Sequence, residues 1–209
     1  MTSERPLQRI AVSFSELATC FNSEETKQEE AKRNLLVASF SSACSNVSVL
    51  FGCLGIAFKF AEMDYVAKVD DLTRVAKDMS TLESLIEYDL ERDTVKVRGS
   101  HTRNLLRVKR GLDMVRVLFQ GILDTKDESL RESASQAYAQ VFAPYHSFPI
   151  RAAVAAGLYA LPTRTQLMNK LNENESSARE LMQEYITAVG PVLNYVEYLF
   201  TSRGLGIDW

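Results

Sequence analysis

Three observations on this sequence predict an all-α fold. Apolar residues recur at helical spacing almost throughout the chain. Glycine and proline are scarce, at 9 and 5 of 209 residues. There is no hairpin signal and no glycine-rich loop after an apolar β-branched run. No linker-like change of composition divides the chain, so we expect a single domain over residues 1–209, with residues 1–5 as a flexible tail.

Start and stop signals place the individual helices. Pro6 suits the first turn of a helix that reaches about Phe21. Ser23 and the two glutamates after it form a capping signal for the next helix, which extends into the apolar run 47–58. The charged segment ERDTVKVRGS is typical of a loop. Further helices are predicted over residues 60–77, 80–89, 102–124, 128–142, 149–160, 163–171 and 176–201.

Composition excludes several classes of protein. The formal net charge is −3, so no global basic field favours nucleic acid as a partner. Three cysteines without metal-ligand spacing, together with the lack of a signal peptide, indicate a reducing compartment such as the cytosol. The apolar run 47–58 is too short to span a bilayer. No catalytic, metal-binding or cofactor motif occurs, so we expect a binding protein without catalytic residues, metal or cofactor.

Three arginines lie on an unexpected face of the helix predicted to begin near residue 102. At about 100° per residue, Arg103, Arg107 and Arg110 fall on one stripe that becomes apolar toward the end of the helix. The stripe that we assign to solvent holds Lys109, Asp113, Arg116 and Gln120. Each arginine could extend along the edge of the core or pair with a carboxylate. Because unpaired burial of guanidinium groups is too costly, we expect an anion beside them, either a protein carboxylate or a ligand phosphate.

A second polar cluster lies on the helix predicted over residues 60–77. Asp64 and Lys68 are four residues apart and share one face. They form either a plain ion pair or a functional pair, in which Asp64 accepts from an amide and a hydroxyl while Lys68 adds charge to an anion site. His146 stands among aromatic residues at the start of a later helix. A single histidine there is either structural or part of the same site.

Three motifs stand in a recognisable order along the chain: the pair Asp64 and Lys68, RNLLRVKRGL over residues 103–112, and YHSFP over residues 145–149. Together they resemble the glycolipid transfer protein family, and the resemblance covers essentially the whole chain. It implies a two-layer, all-α helical sandwich that holds the chains of one lipid between its layers and the lipid head at its surface. It also implies a monomeric protein that transfers lipid between membranes.

The sequence departs from the glycolipid-binding members at the head-group positions. Those members carry Asp-x-x-x-Asn-x-x-Lys, where this chain has Asp64, Lys68 and Asp71. They also stack a sugar on a tryptophan, where this chain has Arg107. Cations in place of the amide and the aromatic ring favour a phosphate over a sugar. The resemblance therefore implies ceramide-1-phosphate, or a related phosphosphingolipid, as the ligand.

The resemblance also suggests a role for each site residue. The phosphate ligands would be Lys68, Arg103 and Arg107, with Arg110 as a possible supporting cation. Asp64 would hold the amide N–H and the 3-hydroxyl of the sphingoid base. His146 would donate to the acyl carbonyl oxygen. No role follows for Trp209, because the ending GLGIDW does not match the glycolipid-binding members.

Membrane contact is expected at the start of the helix that follows His146. By resemblance, Phe148 takes the place of an anchoring tryptophan, with Tyr145 and Ile150 beside it. The protein would then be cytosolic and only transiently peripheral to membranes. Two alternatives stay open. One is a helical interaction or scaffold protein whose arginines pair internally, and the other is a lipid sensor without transfer activity.

Overall fold

Nine α-helices make up most of the described structure. The computed structural model describes residues 5–22 and 34–209, and within these ranges no strand occurs beyond two isolated backbone bridges. The helices are α1 (Pro6–Asn22), α2 (Val37–Leu54), α3 (Lys59–Val75), α4 (Leu82–Glu91), α5 (His101–Asp124), α6 (Arg131–Val141), α7 (Phe148–Gly157), α8 (Arg164–Lys170) and α9 (Glu175–Thr201). The predicted all-α fold is confirmed for this part of the chain.

Capping hydrogen bonds shift two predicted helix starts. Thr81, one residue later than predicted, caps α4 because its hydroxyl accepts from the N–H of Ser84 at 3.1 Å. Asn174, two residues earlier than predicted, caps α9 because its side-chain oxygen accepts from the N–H of Ser177 at 2.9 Å. The capping signal predicted at residues 23–25 lies outside the described residues.

The central helix of the fold is α5. It packs against α3, α6 and α9, while α1 packs against α9 and α2. Buried aromatic rings join these helices: Tyr185 of α9 lies edge-on to Phe14 and Phe119, at centroid distances of 5.1 and 5.5 Å. The Tyr185 hydroxyl donates to the carbonyl oxygen of Leu112 at 3.0 Å. The core is therefore apolar in bulk, and its buried phenol is hydrogen-bonded.

The apolar helix α2 belongs to this core. Among the described residues it is the single helix that is long and apolar enough to cross a membrane, on length and composition alone. Phe40, Cys44 and Val47 are completely buried, and the helix packs on α1 and α3. The apolar run predicted over residues 47–58 is divided by Gly55, whose φ of +104° ends the helix. Its packing is that of a core helix.

Gly111 allows α3 and α5 to approach closely. A methyl group at this position would lie 2.7 Å from the ring of Tyr65, so a larger residue would displace that ring. Tyr65 is buried, and its hydroxyl donates to the carbonyl oxygen of Cys44 at 3.0 Å. This contact holds α3 against the arginine-bearing half of α5.

One prediction of exposure is wrong. Lys109 is not on a solvated stripe but buried, because its ammonium group donates to Glu197 of α9 at 3.0 Å. The other three members of the predicted solvent stripe are half-buried. Arg5, at the end of the expected tail, is exposed and forms an ion pair with the Glu173 carboxylate at 2.5 Å. Residues 1–4 lie outside the described part of the chain.

Candidate functional site

The first turns of α5 present the three arginines. The start of the helix is fixed by the buried carboxylate of Asp89, which accepts from the N–H of Thr102 at 2.7 Å. Arg103 and Arg107 are half-buried, and Arg110 is only 5% exposed. Arg110 therefore turns away from solvent, as the helical periodicity predicts, whereas Arg103 and Arg107 remain partly accessible.

Arg103 and Arg107 are not paired with any described carboxylate. Arg103 donates from Nη1 to the main-chain oxygen of Lys96 at 2.6 Å, which is a neutral partner. Arg107 makes no hydrogen bond or ion pair with a residue that the structure describes. Burial lowers the pKa of Arg107 and the charge of Arg103 lowers it further, whereas the Asp64 carboxylate raises it. Two half-buried like charges side by side favour the binding of an anion.

Asp64 and Lys68 pair with each other on α3, beside the arginines. The Lys68 ammonium group donates to the Asp64 carboxylate, and at 3.1 Å to the Asp64 main-chain oxygen. The Lys68 side chain is 17% exposed and that of Asp64 69% exposed, so the cation is sheltered while the carboxylate faces outward. The charge of Asp64 also acts on the pKa of both Arg107 and His146, so the carboxylate lies near both.

His146 lies in the turn between α6 and α7. Its ring stacks on Phe142 at a centroid distance of 5.5 Å, and its Nδ1 lies 3.0 Å from the Tyr138 hydroxyl. Burial lowers the pKa of His146, and the positive charges of Arg107 and Arg110 lower it further. The imidazole is therefore neutral at pH 7. These electrostatic contacts place the predicted site residues of α3, α5 and the α6–α7 turn in one neighbourhood.

Arg110 has a different environment from the other two arginines. Its Nη2 donates to the main-chain oxygens of Ile207 at 2.5 Å and Trp209 at 2.8 Å. Its guanidinium plane lies 3.5 Å from the centroid of the Tyr145 ring. Burial lowers the pKa of Arg110, an effect that Tyr145 and Asp208 partly oppose. Nη1 is buried without a hydrogen-bond partner among the described residues.

Asp71 connects α3 to the start of α5. One of its carboxylate oxygens lies 2.9 Å from His101 Nδ1 and accepts from the Asn104 side chain at 2.7 Å. This carboxylate stands where glycolipid-binding members have a lysine. In this chain the position therefore joins α3 to the start of α5.

The predicted docking residues differ in exposure. Phe148 and Ile150 are 73% and 46% exposed, as a membrane contact requires. Tyr145 is half-buried under Arg110, so its ring face is already occupied. None of the residues of α7 is buried, and Tyr159 just beyond it is largely exposed. One face of the Tyr159 ring is also occupied, because the Arg131 guanidinium group lies 3.9 Å from its centroid.

A groove elsewhere on the surface is not part of this site. It encloses about 910 Å³ between α1, α5 and α9, and its walls carry Gln120, Arg179 and Glu184. No predicted site residue lines it. The candidate site is therefore the arginine stripe, where charge and burial coincide.

Comparisons with known proteins agree with this architecture. The family profile of the glycolipid transfer protein (GLTP) matches residues 35–173. Accelerated cell death 11 of Arabidopsis thaliana is 53% identical over 99% of this chain and 98% of its own length. The ceramide-1-phosphate transfer protein of Danio rerio is 26% identical, over 93% of this chain and 97% of its own.

A solved structure extends the comparison to the fold. A point mutant of the Arabidopsis protein, crystallised with ceramide-1-phosphate, superposes with a TM-score of 0.93, 53% identity and coverage of 99% of this chain and 100% of that chain. This chain belongs to the glycolipid transfer protein family. The predicted fold, a single two-layer helical domain, is confirmed, and the members of this family are lipid carriers rather than enzymes.

Proposed function

We propose that this protein carries ceramide-1-phosphate between membranes as a monomer, one lipid at a time. The strongest support is Arg107, a half-buried guanidinium group that lies near a second arginine and has no described partner. A phosphate offers several charged oxygens to such a pair, which a neutral sugar does not. The complex of the Arabidopsis relative with ceramide-1-phosphate supports the same ligand.

Arg103, Arg107 and Lys68 hold the phosphate in this proposal. Arg103 keeps Nη1 on the Lys96 carbonyl and directs its remaining donors at the lipid. Lys68 approaches from α3, and its pairing with Asp64 keeps the ammonium group at the edge of the site. A phosphate between α3 and α5 compensates the like charges that lower the pKa of Arg107.

The ceramide amide is held between Asp64 and His146. The exposed carboxylate of Asp64 has room to accept from the amide N–H and the 3-hydroxyl. A neutral His146 that accepts from the Tyr138 hydroxyl at Nδ1 carries its proton on Nε2, where it donates to the acyl carbonyl oxygen. In this proposal Tyr138 donates to Nδ1 and so selects the tautomer that this bond needs.

Phe148 and Ile150 place the protein on a membrane briefly. Both are exposed at the start of α7, next to the turn that carries His146. The protein is then cytosolic and only transiently peripheral to membranes, and its Arabidopsis relative, by its name, suggests a part in programmed cell death. Phe148→Ala should lower partitioning onto phosphatidylcholine vesicles. Unchanged partitioning would remove this residue from the docking surface.

A transfer assay with two lipids of matched chains tests the function. Donor vesicles carry either ceramide-1-phosphate or glucosylceramide, and the rate at which the wild-type protein moves each lipid to acceptor vesicles is measured. We expect a strong preference for the phosphate. Equal transfer of both lipids would return the arginines to a structural role, and binding of ceramide-1-phosphate without transfer would make the protein a sensor.

A further inference from the structure

The last residues of the chain fold back onto the arginine stripe. Gly204 and Gly206 have φ values of +67° and +64°, a left-handed conformation that suits glycine and reverses the chain after α9. The segment that follows, residues 205–209, is here called the C-terminal segment. Its Trp209 indole donates to the carbonyl oxygens of Leu205 and Gly206 at 3.0 and 3.1 Å, so the segment is internally hydrogen-bonded.

Arg110 is the main polar contact between this segment and α5. One amino group, Nη2, donates to the main-chain oxygens of Ile207 and Trp209. The flat guanidinium group also covers the Tyr145 ring at 3.5 Å, and the Tyr145 hydroxyl lies 3.5 Å from the Asp208 carboxylate. Arg110 therefore joins the C-terminal segment to Tyr145, the residue directly before His146.

The other side of the C-terminal segment reaches the residue that holds Arg103. The Lys96 ammonium group lies 5.4 Å from the centroid of the Trp209 indole ring. The main-chain oxygen of the same lysine accepts the bond from Arg103. The segment thus touches both walls of the candidate site, the loop behind Arg103 and the turn that carries His146.

We propose that Arg110 is a positioning residue, which fixes the C-terminal segment against Tyr145. This contact holds the turn that carries His146 and the loop that carries Lys96. Both are thereby kept in the geometry that the lipid head group requires. The identity of the lipid rests on the proposed function, but the contact itself does not. Arg110 cannot turn its Nη2 to a phosphate without leaving two main-chain oxygens of the segment without this donor. Nη2 is thus engaged by the protein, which is not the case for the guanidinium group of Arg107, while Nη1 has no hydrogen-bond partner among the described residues.

The sequence supplies its own probe for a lipid-free test. Trp209 is the sole tryptophan of the chain, so its emission reports on the C-terminal segment. Arg110→Lys keeps the charge but loses the planar fork and the stacking on Tyr145. We expect a roughly twofold larger acrylamide quenching constant for this variant, with unchanged circular dichroism, because the segment opens locally. Arg116→Lys, on the same helix but paired with Asp113 at 2.8 Å, is the matched control and should behave as the wild type.

A double-variant comparison then tests the link to the lipid site. With phosphatidylcholine vesicles that contain ceramide-1-phosphate, Tyr145→Phe should slow transfer about threefold, since it removes one hydrogen bond of the contact. In the Arg110→Lys background the same change should have little further effect, because both residues act through one contact.

The outcomes separate the two proposals. Equal quenching of wild type and Arg110→Lys overturns the positioning role. So do losses of transfer that multiply in the double variant, which would make Arg110 an independent phosphate ligand. If the wild type moves no ceramide-1-phosphate while Arg110→Lys still raises quenching, the proposed function fails and the attachment of the segment by Arg110 stands.

Discussion

Arg107 and Arg110 stand one turn apart on the same side of α5, yet their surroundings are opposite. Arg107 is half-buried and has no described partner, whereas Arg110 is buried against an aromatic ring and two main-chain oxygens. Burial lowers the pKa of both groups. A lowered pKa therefore does not by itself distinguish a candidate ligand-binding arginine from a supporting one, and the presence of protein acceptors does.

The largest expected effect concerns the arginine without partners. Arg107→Ala should reduce ceramide-1-phosphate transfer about ten- to a hundredfold, since losing a charge-assisted partner of a phosphate costs roughly 1.5–3 kcal/mol. Arg107→Lys should restore transfer only in part, because the ammonium group lacks the planar fork. Vesicle transfer rates measure both. A variant that transfers as fast as the wild type would contradict the assignment.

The free energy of unfolding, measured by heat or denaturant, should also differ between variants of Arg107 and Arg110. Arg110→Ala should lower the free energy of unfolding by about 2 kcal/mol, because it leaves two main-chain oxygens without their donor and removes packing from Tyr145. Arg107→Ala is the matched control and should change it by less than about 0.5 kcal/mol. If both variants lost the same free energy of unfolding, Arg110 would not be a supporting residue distinct from Arg107.

A third variant tests the contact that brings α3 beside the arginines. Gly111→Ala should cost about 1–3 kcal/mol of stability, because its methyl group would lie 2.7 Å from the Tyr65 ring. Gly52→Ala in α2 is the control: nothing lies within 4 Å of its added methyl group, and the change should stabilise by up to about 1 kcal/mol. Chemical denaturation compares the two, and a neutral Gly111→Ala would show that α3 can shift freely.

The smallest expected effect is a pH dependence of the free energy of unfolding that comes from His146. The folded protein depresses the pKa of His146 below 6.5, so the unfolded chain takes up this proton first as the pH falls. Stability contributed by the neutral imidazole is thus present above pH 6.5 and declines below it, by at most about 1.4 kcal/mol per pH unit. Unfolding measured at pH 7.5 and 5.5 should show a smaller decline for His146→Asn. The same decline in both proteins would assign it to other groups.

Helical periodicity was sufficient to predict which side chains share one face of a helix. The 3.6-residue repeat places Arg103, Arg107 and Arg110 on one inward stripe, and in the structure Arg110 is buried while the other two are half-buried. Lys109 shows where that reasoning fails. Its burial depends on Glu197, which lies 88 residues away on α9 and leaves no mark in the local pattern.

The contacts of Arg110 and Asp71 that support the site were not predicted, because they too depend on residues distant in the sequence. Arg110 binds main-chain oxygens, and every residue has such an oxygen, so the sequence of the C-terminal segment carries no signal of this contact. Asp71 looked like a departure from a lipid-binding pattern, although its partners are His101 and Asn104 on the neighbouring helix. Only the packing of the C-terminal segment and of α3 on α5 reveals these roles.

The sparse packing of α7 has a consequence for how the molecule moves. None of the residues of this helix is buried, whereas α5 contributes a long series of buried residues to the core. Because helical stability in proteins comes largely from such packing, α7 can open at a lower free energy than the whole fold. Its backbone amides should then exchange with deuterium through local fluctuations, whereas those of α5 should exchange only through global unfolding. The helix beside the proposed membrane contact is thus energetically separable from the domain that carries it.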